Sequence, residues 1–482
     1  MRGRQDPNDH LYPVLKSSPD SDSLSREARV EEGASRFLAL CAGLRLATPP
    51  PRHTALGHFE PGRPKARQTR AMSAPFWIEN ATAYARRTAD SVVDASEPRS
   101  TSRHLHDANK GLLAETLSVE EIGAHAEAWR ALAARALEPN VFFEPGFALA
   151  LARHGATHPR LVAIWRDGSR RELVGLFPLA ATTRGLAHIW RDAQTPLATP
   201  LIDRDFADSA LRALFAHLRK TERAVGLVLP RVMQSGATLR AITFAAGDSG
   251  RDVETLCAFE RAALFAGSDA DALARRGASN HALRELYRRR RRLEERGAVA
   301  FDLIGDPSGL ENALEEFLAL EASGWKASRG ALSRDPNLTQ FARKATQRMA
   351  RSGQCMIARL ALDGQPLAIG IVFQSGERAY FWKIAFDERF RAFAPGIDLA
   401  HRLTGMLASR DDIALTDSCA IAHHPMIDRF WPDRIGVCDV ALALDAERLA
   451  AFRAACAVER FRRGLRERVK RFVNGALRRK VS

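Results

Sequence analysis

Hydrophobic positions begin to recur with a regular period only after about residue 110 of the 482-residue chain. Before that point Pro, Ser, Asp and Arg dominate, with the run TPPPR at Thr48 to Arg52, and no sustained period emerges. Residues 1–110 are therefore expected to form a disordered extension, and Met72 is a candidate true start. Beyond it the chain reads as folded. A 3.6-residue period predicts a helix over 119–137, and the step Phe142-Phe143-Glu144-Pro145 opens a short helix that reaches Arg153. Apolar alternation predicts strands over 161–165, 173–180 and 187–190. A helix over 208–219, a strand over 224–229, a helix around 237–244 and a strand near 253–259 follow.

The second half has the same order of elements. Helices over 310–323 and 338–351 flank the aromatic step Gly324-Trp325-Lys326, and strands over 355–362, 367–374 and 378–386 come next. Asp363-Gly364 between the first two strands is the dipeptide that favours a type I′ hairpin. After Pro395-Gly396, a helix is read from Ile397, Ala400, Leu403, Leu407 and Ala408; a strand over 413–416, a short helix around 426–430 and a strand over 437–444 complete the set. Two copies of one layout suggest an internal duplication. The boundaries are an N-terminal half over 111–262, a C-terminal half over 263–445 and a tail over 446–482. The stretch from the strand over 378–386 into the helix after Gly396 organises the second copy, because a helix start just past a strand end offers unpaired N–H groups and the positive end of its dipole to a phosphate.

Charge sharpens the picture. The formal net charge is +15, which implies an anionic partner such as a phosphorylated small molecule, a nucleic acid or an acidic membrane surface. Much of it lies in the tail, where Leu449, Phe452, Phe461, Leu465, Val469, Phe472 and Leu477 trace a helical stripe. That helix either packs on the fold with a basic outer face, or lies on anionic lipid or RNA. Residues 272–296 read as one connecting helix whose Arg288 to Arg292 form a solvated face or meet a phosphorylated ligand. The six cysteines include no CxxC pair, so neither a metal site nor a disulfide framework is expected, and reduced cysteines fit a cytoplasmic protein. The apolar run over 37–47 is short and broken by Arg45, so no membrane span is expected.

The segments RELYRRRRRLEERGAVAF, LEEFLALEASGWKASRGAL, LDGQPLAIG, YFWKIAFDERFRAFAPGIDL and HHPMIDRFWPDR resemble the GNAT-superfamily acetyltransferases of the cellulose-biosynthesis CelD type, which are similar to tandem-GNAT FemAB-like proteins. The resemblance implies a mixed α/β (α+β) fold of two GNAT-like acyltransferase halves. It also implies acetyl-CoA or another acyl-CoA as co-substrate, with no metal, and an acyl acceptor that the sequence does not name. The family's phosphate loop reads Arg or Gln, two residues, Gly, one residue, Gly. Arg391 and Gly396 match it, Ile397 follows, and these three are the candidate donor-binding residues. Ala394 stands where the first Gly belongs, and Pro395 brings no N–H.

Acyl transfer to an amine or hydroxyl needs a held donor, a base and donors for the developing oxyanion, with no nucleophile from the protein. Lys383 and Asp387 lie at the end of the strand over 378–386, and Asp417 closes the strand over 413–416. These are the candidate catalytic residues, with a strand-end ion pair as the other reading of Lys383 and Asp387. Trp325 and Lys326 are candidates for the acceptor side, although Trp325 also suits a core and Lys326 a helical pair with Glu321. His423 and His424 are loop histidines that suit a base or plain solvent exposure. Two other functions stay open: FemAB-like transfer of an aminoacyl group from tRNA, and a non-catalytic GNAT-like protein in a polysaccharide assembly.

Overall fold

A computed structural model describes residues 111–248, 250–324 and 331–479, of which 470–479 are described by backbone alone. Apart from the end of the last helix, they belong to the compact unit Pro75–Val469. The expected extension over 1–110 lies outside the described residues, as do Trp325 and Lys326.

One set of elements comprises β1 (Leu113–Leu117), α1 (Val119–Gly123), α2 (Ala126–Arg135), α3 (Pro145–His154), β2 (Arg160–Trp165), β3 (Leu173–Thr183), β4 (Leu186–Ile189), β5 (Leu201–Ile202), α4 (Ala207–Thr221), β6 (Gly226–Met233), α5 (Ala237–Gly247) and β7 (Val253–Phe265). Helices α6 (Ala270–Gly277) and α7 (Asn280–Glu294) lead into the other set. It comprises β8 (Val299–Ile304), α8 (Pro307–Ser323), α9 (Pro336–Arg351), β9 (Cys355–Leu362), β10 (Gln365–Ser375), β11 (Arg378–Phe386), α10 (Pro395–Ala408), β12 (Leu415–Asp417) and β13 (Asp433–Ala443), and α11 (Leu449–Arg479) follows.

All thirteen strands form one mixed sheet, ordered β1-β2-β3-β4-β6-β13-β7-β12-β11-β10-β9-β8, with β5 on the side of β3. Among the described residues only β4–β6 and β11–β12 are parallel. The order reads almost the same from both ends, with the last strands of the two sets exchanged: β13 pairs with β6, β7 pairs with β12, and β7 and β13 pair with each other. Each set thus completes its sheet with a strand from the other.

Local chemistry explains most element boundaries. Pro occupies the first turn of α3, α8, α9 and α10, where its missing N–H is not needed. Asp363 and Gly364 have φ of +48° and +80°, the pair of left-handed residues that a type I′ turn requires. The helix expected over 119–137 is two, because the capping box of Ser118 and Glu121 starts α1 and the chain breaks at Ala124 and His125. The helix expected over 272–296 is also two, because the Ser279 side chain accepts from Ala282 N (3.2 Å) and starts α7 there. The expected short helix around 426–430 is a single 3₁₀ turn over Ile427–Arg429. Edge strands β1 and β8 were not anticipated; both are half exposed, so their apolar signal is weak.

The halves share one apolar core on the face that carries α3, α8 and α9. Phe147 on α3 lies 5.2 Å from Phe341, 5.6 Å from Phe373 and 5.7 Å from Trp382 between ring centroids, in edge-on geometry that suits aromatic quadrupoles. Gly146 is needed there, since a Cβ would come within 2.5 Å of Met349 Sδ. Polar links run through the same seam: Tyr380 donates to Pro139 O (2.7 Å), and Arg378 pairs with Glu138 (3.0 Å), both nearly buried. Glu144 accepts from Ser375 and Gln354, and burial raises its pKa.

On the opposite face α6, α7 and α10 cover the second half. The first turns of α11 cover part of the first half, where Phe452 and Cys456 are buried among Leu186, Val228 and Ala441. The packed reading of the tail describes these turns. Farther along, Phe461 is 73% exposed and Val469 is also exposed, while the side chains of Phe472 and Leu477 lie outside the described residues. Among the described residues no helix is long and apolar enough to cross a membrane.

The seam is testable. Glu138→Leu leaves the Arg378 guanidinium buried without its carboxylate and should cost about 3–5 kcal/mol in urea unfolding. The double variant Glu138→Leu/Arg378→Met should recover most of that loss, and equal destabilisation of single and double variants would show that the pair does not hold the halves together.

Candidate functional site

The parallel pair β11–β12 stays in register only from Arg378 opposite Leu415 to Tyr380 opposite Asp417. Beyond that point β12 has ended while β11 continues to Phe386, so a wedge opens between the strands. A bulge in β11 lies at the wedge: Phe381 faces Val372 and Lys383 faces Ile371, which leaves Trp382 as the extra residue. A bulge of this kind re-aims side chains, and it shifts the alternation that the sequence suggested for 378–386. Phe381, Ile384 and Phe386 therefore pack toward α10, while Tyr380, Trp382 and Ala385 join the core on the other face.

Past β11 the chain makes a 3₁₀ segment, Glu388–Phe393, and enters α10 through Ala394, whose φ and ψ of +52° and +50° are left-handed. Alanine thus adopts the conformation for which glycine is the ordinary choice. Arg391 is exposed, and Gly396 is buried with Phe386 Cδ1 3.2 Å from where its Cβ would be. Pro395 has no N–H, and the N–H groups of Ile397 and Asp398 turn back to Ala394 O (3.0 and 3.1 Å). Gly396 then offers the first backbone donor of the helix start, and Ile397 contributes a half-buried apolar side chain in place of a free N–H. Asp398 in the first turn is buried and accepts from Arg290 Nε (2.8 Å) and Arg402 Nε (3.3 Å). This orients the basic helix α7: Arg290 serves the start of α10, Arg288 and Arg289 bind Glu285, and Arg291 and Arg292 face solvent.

Two of the candidate catalytic residues, Asp387 and Asp417, are each held by an arginine. Lys383 is half-buried, with Nζ 4.9 Å from the Trp382 ring centroid. Asp387 caps the 3₁₀ segment by accepting from Arg389 N (2.9 Å), and it is gripped by the Arg389 guanidinium (2.6 Å), which holds its pKa below the usual carboxylate value. Asp417 is fully buried; it pairs with Arg261 and accepts from Cys419 N (2.8 Å). Glu321, considered as a partner for Lys326, accepts from Leu332 N (2.7 Å) and so anchors the chain just after 325–330. His424 Nδ1 faces the N–H groups of Met426 and Ile427, both at 3.4 Å, and His423 is exposed with φ of +56°. Among the described residues no group of three or more His, Cys, Asp or Glu could hold a metal.

The loop after β4 belongs to the first half but reaches the wedge of the second. Trp382 Nε1 donates to Gln194 O (3.1 Å), and Arg261 Nη1 donates to Pro196 O (3.1 Å). Sequence reasoning missed Arg191, Gln194, Arg231 and Arg261, because long-range pairing brings them together. A signal did exist in Pro230-Arg231 within an otherwise apolar strand, since proline inside a strand marks a bulge or an edge.

Residues 280–419 match the acetyltransferase (GNAT) domain family, a span that holds β11, the loop, α10 and β12. No curated protein matches the chain. Among solved structures it resembles FemX (12% identity, TM-score 0.41, covering 68% of this chain and 96% of that one). It also resembles the C-terminal domain of a putative lysylphosphatidylglycerol synthetase from Agrobacterium fabrum (14%, 0.41, 68% and 95%) and a tandem GNAT protein from the clavulanic acid biosynthesis pathway (17%, 0.35, 69% and 98%).

The left-handed Ala394 yields a direct test. Ala394→Gly should stabilise the protein by up to about 1 kcal/mol, because a Cβ at positive φ costs roughly 1–2 kcal/mol and glycine gives part of that back in chain entropy. Thermal unfolding of the variant checks this, and a lower Tm would show that the loop does not hold Ala394 in this conformation.

Proposed function

We propose that the protein is an acyltransferase of GNAT type. It moves an acyl group from acetyl-CoA or another acyl-CoA to an amine or hydroxyl acceptor, with the donor in the wedge between β11 and β12 and its phosphates at the start of α10. The observation that carries the reading is the break of the parallel pair after Tyr380 and Asp417, directly ahead of a helix start, within the segment that matches the GNAT domain. The exposed Arg391 supplies a charge ahead of the backbone donor of Gly396, and the left-handed Ala394 keeps the turn that the family's glycine makes. The half-buried Lys383 stands beside the wedge. Asp387 acts by holding the donor loop, because a carboxylate with a depressed pKa and a bound guanidinium is a poor base. Asp417 holds Arg261 and, through it, the loop from the first half. Trp325 and Lys326 are assigned to the acceptor side, between the end of α8 and the start of α9. A cytoplasmic role in cell-envelope or exopolysaccharide synthesis of the CelD type fits this reading, with the exposed Phe461 side of α11 turned to an anionic membrane surface.

A second reading, transfer from aminoacyl-tRNA or binding without catalysis, is favoured by Pro395, which removes one N–H from the loop. Calorimetric titration with CoA and acetyl-CoA separates the two. Wild type should bind. Arg391→Ala, an exposed change that leaves the fold intact, should weaken binding roughly ten- to hundredfold through a lost charge-assisted contact of about 1.5–3 kcal/mol. Gly396→Val, which presses on Phe386, should abolish it. Asp387→Asn keeps a good helix cap and should hold CoA affinity within about threefold of wild type. Absence of CoA binding by wild type, with binding of tRNA or a glycan polymer instead, would replace the acyl-CoA reading.

A further inference from the structure

The wedge has a counterpart in the first half, where β4 and β6 pair in parallel only from Leu186 opposite Gly226 to His188 opposite Val228. Arg191 lies just past the end of β4, and Arg231 lies on β6 beyond the last parallel pair. Arg231 is a bulge residue with φ of +49°; the register of β6 against β13 shifts at this point, and Asp439 accepts its backbone N–H (2.8 Å). Its carbonyl accepts from Ala198 N (3.2 Å), which ties the loop after β4 to the same spot. A non-glycine residue at positive φ is held there by its surroundings, and the consequence is a re-aimed side chain.

That side chain has no neutralising partner. Among the described residues, the guanidiniums of Arg191 and Arg231 form no hydrogen bond or ion pair. Arg261 next to them is buried, with Asp417 on one nitrogen and Nε left unpartnered, and Oε1 of the buried Gln194 is also unpartnered. The nearby carboxylates are already engaged, Asp417 by Arg261 and Asp439 by Arg463. Burial, together with the charges of Arg191 and Arg261, lowers the pKa of Arg231 to about 10 while Asp439 acts the other way, so it remains cationic at neutral pH. Cys419 at the end of β12 lies within the field of Arg231 and Arg261, which joins this cluster to the edge of the other wedge.

We propose that Arg191 and Arg231, backed by Arg261, form a binding site for a phosphoryl group that reaches the wedge between β11 and β12 from the side of the first half. Two unpaired guanidiniums on different elements suit a dianionic tetrahedral group, which offers acceptors to both; a carboxylate saturates one fork. That the phosphoryl group belongs to the acyl acceptor rests on the acyl-transfer reading, whereas the site itself does not.

The test titrates inorganic phosphate into the full chain at fixed ionic strength, with chloride as the comparison, and follows both heat and Tm. Phosphate should give a saturable signal that chloride does not. Arg231→Gln and the exposed Arg191→Gln should each weaken it at least roughly tenfold while CoA affinity stays as in wild type. Arg391→Ala should do the reverse, losing CoA and keeping phosphate. Arg292→Gln, on the solvent face of α7, should leave both unchanged. Phosphate binding that survives both Arg191→Gln and Arg231→Gln, or that is lost in Arg391→Ala instead, overturns the proposal. Loss of CoA binding alone defeats the donor reading and leaves this site standing.

Discussion

The pairing of β7 with β13 is the contact on which the rest of the molecule depends. Residues 253–263 lie antiparallel to 433–442, and through this ladder each half takes its central strand from the other. Neither half has a complete sheet alone, because β6 would lack its neighbour β13 and β12 its neighbour β7. An exposed strand edge is costly and prone to wrong pairing, so the exchange links the folding of one half to that of the other. It also fixes distances. Arg261 is part of β7, yet it pairs with Asp417 of the second half and holds the loop of the first.

That arrangement places two short parallel pairs, β4–β6 and β11–β12, on either side of the exchanged strands. In the second half the wedge leads to a helix start fitted with Arg391, Gly396 and a left-handed Ala394. In the first half the loop after β4 is tied to β6 by Ala198 N donating to Arg231 O, while its Gln194 and Pro196 carbonyls are bound by Trp382 and Arg261. The duplication has therefore diverged. One copy joins its short parallel pair to a helix start, and the other carries Arg191 and Arg231 past the end of its pair. Buried groups such as Glu138 with Arg378 and Glu144 with Ser375 link the halves across the seam, and breaking either pair would remove a buried polar contact.

Most of the element order of both halves, apart from the edge strands β1 and β8, was legible from periodicity, and so were the type I′ turn at Asp363-Gly364 and the helix beginning at Pro395, because these are set by neighbours a few residues away. Strand exchange was not legible, since nothing local in 253–265 or 433–443 tells a strand whose sheet it will join. The candidate site was read in part. Gly396 lies in the first turn of α10 and Arg391 in the 3₁₀ segment ahead of it, while Asp387 and Asp417 are fastened to Arg389 and Arg261, partners that only the folded chain reveals. The arginines at 191, 231 and 261 escaped notice for the same reason, being far apart in sequence and embedded in apolar runs. The basic stretch of α7 was ambiguous in sequence because orientation decides its role: Arg290 turns inward to Asp398 while Arg292 stays in solvent.

The central claim, that an acyl-CoA donor occupies the wedge of the second half, is tested most directly by hydrogen–deuterium exchange with and without acetyl-CoA. The account predicts slower exchange confined to 381–398 and 415–420, greatest around Gly396, with little change in the matching wedge of the first half around 186–191 and 226–233. Protection that appears in the first-half wedge instead, or none in 381–398 at saturating acetyl-CoA, would contradict it.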